Sequence, residues 1–255
     1  MTASSDEVGN FAWYHTLDLP GGVVTPGMFD TRPAAAKIGM PASLAGKRCL
    51  DVGTSDGFWA FEMEKRGAAE VVAIDLGNDA QADVTVGGAP LLTGAASRQS
   101  QTFVLARRLL GSNVKWMDLS VYDASPETLG RFDFVFASSL LMHLQDPVRA
   151  LAAMHSVCGG EMMSFEPVSP ILSLLHPRLP AARFLGLTRT DWWVPNIAAH
   201  RQWVEAGGFR IVSSGKVAFI KRRGLGMRVA IRRPFRAGLL ATLGIPQHWV
   251  LAQPR

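Results

Sequence analysis

No stretch of this 255-residue chain holds the roughly 18 to 20 consecutive apolar residues that a membrane span requires, so a transmembrane helix is not expected. The opening residues MTASSDEVGN form neither a basic segment nor an apolar one; no secretory signal is read, and a cytoplasmic location is expected. Cysteine is scarce. Cys49 and Cys158 each lie in or beside an apolar segment, with no second cysteine or histidine at ligand spacing, which reads as two reduced core thiols. No metal-ligand cluster is evident elsewhere, so no metal is expected. Acid is missing altogether after Glu205, whereas ten lysines and arginines follow it, so the formal charge of +5 arises locally at the carboxyl end. Lys221, Arg222 and Arg223 within that end read either as solvated charge in a turn between two strands or as a contact for a phosphate-bearing partner. The segment lacks the interleaved aromatics of a single-strand nucleic-acid platform. Internal repeats and low-complexity tracts are absent as well.

What is present describes a folded α/β protein. Hydrophobic residues make up 48% of the chain and charged ones 18%, far from the composition of a disordered protein, and the length suits one α/β unit with additions. From Lys47 onward, short β-rich runs (RCLDV, EVVAID, VKWMDL, FDFVFASS, GEMMSFEP) alternate with segments of helical spacing, the pattern of a parallel sheet covered by helices. FRIVSSGKVAFI and GMRVAIRR read as two closing strands. Residues 1–45, rich in Gly and Pro, read as an N-terminal lid or cap. Residues 46–236 form the main domain with an insertion at 168–194, and 237–255 a tail. Both additions are expected over the carboxyl edge of the sheet, where open α/β folds bind ligands.

The segment LDVGTSDGFWAF carries the chemistry. A strand ending in Asp51 feeds a tight turn from Gly53 through Thr54 and Ser55 to Gly57, which brings bare backbone to the sheet edge beside a helix start. The spacing is GxxxG, not the GxGxxG of a dinucleotide site. Asp75 closes the next strand, where its two oxygens suit the hydroxyls of a ribose, and Asp118 closes the one after, where it suits an exocyclic base amine. Asp75 also reads as a helix cap and Asp118 as a turn residue. Amino-acid end, ribose and base in that order describe S-adenosylmethionine.

LDVGTSDG, VVAID and FDFVFASSLLMHLQDPVRAL together resemble the motifs of class I S-adenosylmethionine-dependent methyltransferases. Within these, the stretch from Val23 to Leu76 and TDWWVPN are similar to the tRNA wobble-uridine methoxyuridine methyltransferase group. The resemblance implies a Rossmann-like, seven-stranded, mostly parallel sheet with its last strand antiparallel and helices on both faces. It also implies cofactor contacts from Asp51, Gly53, Thr54, Ser55, Gly57, Asp75, Leu76, Asp118, Leu119 and Ser138. Thr54 and Ser55 depart from the usual additional glycine, which concerns how the methionine end is held. His143, just past the fourth strand, and His15, in WYHT, are candidate catalytic bases, each with core packing as the competing role. Trp13, Tyr14, Trp192 and Trp193 are candidate acceptor contacts. Glu166 is either an active-site carboxylate or a cap before Pro167. The expected acceptor is a small molecule, such as a hydroxyl of a specialised metabolite or sugar; the alternatives are a tRNA wobble uridine and a non-catalytic adenosylmethionine-binding protein. Neither the oligomeric state nor ordinary versus carboxylated cofactor follows from the residues.

Overall fold

The computed structural model describes residues 5–77, 83, 96–186, 191–222 and 245–255. In chain order its elements are α1 (Ser5–Gly9), β1 (Phe29–Asp30), α2 (Arg32–Ala35), β2 (Arg48–Val52), α3 (Phe58–Lys65), β3 (Glu70–Asp75), α4 (Ala96–Leu110), β4 (Lys115–Asp118), α5 (Pro126–Leu129), β5 (Phe132–Ser138), α6 (Pro147–Val157), β6 (Cys158–Pro167), α7 (Pro170–Leu175), β7 (Ala182–Phe184), β8 (Trp193–Pro195), α8 (Ile197–Ala206), β9 (Phe209–Arg222) and β10 (Ile245–Pro254).

Apolar strand runs such as EVVAID are stable only when both faces of a sheet are covered, because successive side chains point to opposite sides. Cys49, Ala73, Phe134, Phe136, Met163 and Phe165 accordingly join one core with α3, α4 and the N-terminal segment. Leu50, Val52, Val72, Ile74, Val135 and Met162 join a second core with α6 and α8. The strand order is β1-β9-β10-β6-β5-β2-β3-β4. Seven of these strands make the expected sheet, with β10 antiparallel to both neighbours, β6 and β9; the two-residue β1 extends the β9 edge. Chain order runs outward from β2 through β3 to β4, then restarts with β5 on the other side of β2. That reversal opens a crevice at the carboxyl ends of β2 and β5, the place where such sheets take ligands.

The closing strand sits elsewhere than expected. It is formed by Ile245–Pro254, in the stretch read as a tail, while GMRVAIRR falls outside the described residues. Its sequence, IPQHWVLAQP, hides the strand because polar Gln247 and His248 occupy buried positions and blur the alternation. Lys221 and Arg222, expected in a turn, are the last residues of β9. Asp146 caps α6 by accepting from the Arg149 amide, as the DP start suggests. Among the described residues no helix is long and apolar enough to cross a membrane, and no His/Cys/Asp/Glu group could hold a metal ion. Cys49 and Cys158 are both buried and free, and burial pushes their thiols up, to about 12 and about 11.

Of the two polar positions that blur β10, His248 has a side-chain partner in α8. His200 of α8 meets the Ser164 hydroxyl through Nε2 at 2.9 Å and the His248 Nδ1 through its own Nδ1 at 2.9 Å. Burial holds both imidazoles neutral, pushing His200 well below the usual histidine range and His248 down to about 4. A histidine whose folded pKa lies below its unfolded value of about 6.5 binds fewer protons when folded, so its stabilisation is complete above that value and is lost as pH falls towards 4. Wild type is therefore expected to lose on the order of 1 to 3 kcal/mol relative to His248→Asn between pH 7 and pH 4.5. Urea titrations at both pH values measure this. A pH-independent difference between the two proteins would contradict a buried neutral His248.

Candidate functional site

The turn after β2 is held in an unusual shape. Gly53 and Gly57 adopt φ of 75° and 92°, and between them Ser55, which carries a Cβ, is held at 52°. Two bonds fix this geometry: the Gly53 amide donates to the Ile74 carbonyl at 2.9 Å, and the Ser55 amide to Asp75 Oδ2 at 2.6 Å. Ser139, just past β5, is the other non-glycine residue at positive φ among the described residues, and it lies across the same crevice. Strain of this kind persists only where neighbours enforce it, and it concentrates at binding sites.

Two adjoining cavities open at this crevice. The smaller, about 60 Å³, is walled by Val52, Gly53, Ile74, Leu119, Tyr122 and Leu144. The larger, about 210 Å³, is walled by Tyr14, His15, Ser55, Trp59, Ser138, Ser139 and His143. Gly53, Asp75, Leu76, Asp83, Leu140 and Leu144 border both. A Cβ at Gly53 would stand 3.0 Å from the Leu140 side chain and close the gap between β2 and β5. Gly57 serves differently: its missing Cβ would collide with the Phe61 and Phe103 rings at 2.5 and 2.8 Å, and it lines neither cavity.

Asp75 stands at the junction of the two cavities. Its Oδ2 accepts from Ser55 and its Oδ1 from the Leu76 amide at 2.8 Å, which leaves each oxygen a second lone pair. Burial raises its pKa. Asp51, 1% exposed, is raised to about 7, chiefly by burial, and Oδ2 has no partner; it lies beneath the turn and lines neither cavity. Thr54 is also beneath the turn, its hydroxyl buried and unpartnered. Asp118 is turned away from both cavities, accepting from the Gly77 amide at 2.7 Å.

The N-terminal segment reaches this site through Asp56, a residue that the sequence reading passes over. Asp56 is fully buried; its Oδ2 accepts the Tyr14 and His15 amides at 2.8 and 3.0 Å, and its Oδ1 takes His15 Nδ1 at 2.8 Å. The segment is braced from behind, since Phe29 donates its amide to the Tyr14 carbonyl and Thr25 donates its hydroxyl to the His15 carbonyl, both at 2.8 Å. Asp56 is the one acid between Gly53 and Gly57, and that position was the available clue. Trp13 is a core residue: it is buried, and its indole N–H donates to the Val8 carbonyl at 2.8 Å.

His143 forms a second imidazole–carboxylate pair, with Asp191 Oδ1 at 3.1 Å from its Nδ1. The 3-10 turn that carries it, Leu141–His143, rests on Glu166, whose Oε1 accepts the Leu140 and Leu141 amides at 3.1 and 3.2 Å. Burial pushes Glu166 up to about 7, and it does not line either cavity; it lies within β6 and holds the turn after β5 rather than one before Pro167. Trp192 and Trp193 tie the insertion down through their indole N–H groups, to the Asp83 and Gln145 carbonyls respectively. They pack with Phe184 at ring separations of 6.0 and 5.1 Å and line neither cavity.

A family model described as "Methyltransferase domain" matches residues 28–214. The chain is 29% identical over 171 residues to the tRNA U34 carboxymethyltransferase of Dichelobacter nodosus, a match covering 66% of this chain and 47% of that protein. With its counterpart from Methylococcus capsulatus it shares 29% over 175 residues, covering 68% and 47%. The chain thus spans about half the length of the curated relatives it matches. The N-terminal domain of EvdMO1, solved with S-adenosylhomocysteine bound, superimposes with a TM-score of 0.59 at 16% identity, covering 98% of this chain and 94% of that one. The 1,6-didemethyltoxoflavin-N1-methyltransferase of Burkholderia thailandensis gives 0.52 at 15%, covering 88% and 77%.

Replacing Asp56 by alanine removes the acceptor of the Tyr14 and His15 amides, the His15 ring and the Ser55 hydroxyl, so Asp56→Ala is expected to cost roughly 2 to 4 kcal/mol and to expose residues 11–19 to limited proteolysis. An unchanged melting temperature with unchanged cleavage would show that the segment is held by other means.

Proposed function

This chain belongs to the methyltransferase domain family, and from that premise we propose that it transfers a methyl group from S-adenosylmethionine to a hydroxyl of a small molecule seated in the larger cavity. The observation that carries this reading is the buried His15–Asp56 pair at the cavity wall.

The residues fit the cofactor. Asp75 keeps a lone pair on each oxygen for two ribose hydroxyls, the apolar smaller cavity suits a base, and the Cβ-free backbone at Gly53 allows close approach of the methionine end. When bound, the cofactor supplies a methyl already activated on a sulfonium. The chain is left to align the acceptor, exclude water and take up a proton. Asp56 engages Nδ1 of His15 and fixes its ring, leaving Nε2 for the acceptor hydroxyl. As the proton arrives, the carboxylate stabilises the imidazolium at Nδ1–H. Tyr14 and Trp59 close the wall around it, and His143, oriented by Asp191, adds a polar group for placing the acceptor.

Among the described residues, no lysine or arginine lines either cavity. An extra cofactor carboxylate, or the phosphates flanking a nucleotide, would be desolvated there without a compensating cation from the described residues. This favours ordinary S-adenosylmethionine and an uncharged acceptor. The names of the curated relatives favour a second reading, a wobble uridine of tRNA.

Asp75→Ala is expected to weaken S-adenosylmethionine binding by roughly 1 to 3 kcal/mol in isothermal titration, at unchanged fold by circular dichroism. Equal affinity in wild type and variant would take Asp75 out of the site. His15→Asn should lower kcat by about 10²- to 10⁴-fold while leaving cofactor affinity nearly intact. Methyl transfer is followed in parallel on a panel of small hydroxyl compounds and on bulk tRNA. Turnover on tRNA alone, with binding that weakens steeply as salt rises, would replace the small-molecule reading by the RNA one.

A further inference from the structure

Five of the nine large apolar side chains that stand exposed among the described residues fall within fourteen consecutive positions of the insertion: Ile171, Leu174, Leu175, Leu179 and Phe184, each between 57% and 80% exposed. A cluster of this kind is unusual on a soluble surface and marks a contact face. We infer that this face docks on an anionic lipid bilayer, with α7 and the segment after it laid in the headgroup region. The inference stands apart from the methyl-transfer reading.

Charge selects the occupant. From Pro167 to Thr190 the chain has no Asp or Glu, whereas Arg178 and Arg183 are exposed beside the apolar residues, and among the described residues neither enters an ion pair. Apolar side chains flanked by unpaired arginines complement acyl chains beneath phosphate headgroups. A second copy of the chain is a poorer match, because in an isologous pairing the stretch from Pro167 to Thr190 brings no acid to meet the partner's arginines. The backbone that displays these residues is fixed. Buried Asn196 donates to the His176 and Leu179 carbonyls at 2.8 and 2.9 Å and accepts from the Ala181 amide at 3.1 Å, and Ser169 caps α7. Phe184 leans on Trp192 and Trp193, next to the Asp191 that holds His143. The insertion that carries the docking face thus also meets the wall of the larger cavity, through the Asp191–His143 pair.

The test is co-sedimentation of the full chain with phosphatidylcholine vesicles and with vesicles that also contain phosphatidylglycerol. Wild type is expected to bind the mixed vesicles and to bind pure phosphatidylcholine about tenfold more weakly. Leu174→Ser with Leu175→Ser should weaken binding to the mixed vesicles by at least about tenfold, and Arg178→Gln with Arg183→Gln should lower both affinity and its salt dependence. All four side chains are exposed, so melting temperatures should match wild type; a variant that melts early is replaced by Ile171→Ser. Vesicle binding that survives the leucine substitutions would assign it to the basic carboxyl end and overturn the inference. So would absence of binding, or a concentration-dependent dimer that the leucine substitutions abolish.

Discussion

A single buried carboxylate joins the two halves of this site. Asp56 lies inside the turn after β2 yet spends its oxygens on the N-terminal segment, taking two backbone amides and one imidazole nitrogen from residues 14 and 15. A fully buried acid with four donors, the Ser55 hydroxyl being the fourth, is stable where an unpartnered one would be costly, so the turn and the segment hold each other in place. The bond to His15 also decides which ring nitrogen is free to do chemistry. The turn after β2, the N-terminal segment and the candidate base are linked through one side chain.

Other acids around the sheet edge follow the same logic with different outcomes. Asp75 is held between the Ser55 and Leu76 amides and keeps capacity for a ligand. Glu166 gives one oxygen to the turn that carries His143. Asp51 lies deepest, and burial raises its pKa to about 7. Low dielectric and backbone donors pull these groups in opposite directions, and the balance at each depends on how many amides it meets. The result is a rim of polar groups placed by the backbone, of which Asp75 opens towards the two cavities.

Strand and helix positions in the main domain were readable because the physics that sets them is local. RCLDV, EVVAID and FDFVFAS match β2, β3 and β5 to within one residue, since runs that are apolar on both faces have few alternatives to a covered parallel sheet. β10 was not readable, because Gln247 and His248 are polar at buried positions, and His248 becomes tolerable only once His200, itself bonded to Ser164 of β6, arrives from α8 to meet it. Candidate site residues divide the same way. Gly53, Ser55, Asp75, Leu76 and Ser138 follow from their places at strand ends, and all border the larger cavity. Gly57 and Trp13 carry the right residue types but are occupied by packing, which spacing does not reveal.

By itself, the amino-acid order determined the class of sheet, the place of the crevice at its carboxyl edge and the family, because periodicity and the GxxxG turn act over a few neighbouring residues. Tertiary structure alone decided that Asp56 holds His15 across 41 residues, that Asp191 holds His143, and that Asp118 turns away to its own loop. Those outcomes depend on which donors converge on a carboxylate once water has been expelled, and convergence between distant segments leaves no trace in local spacing.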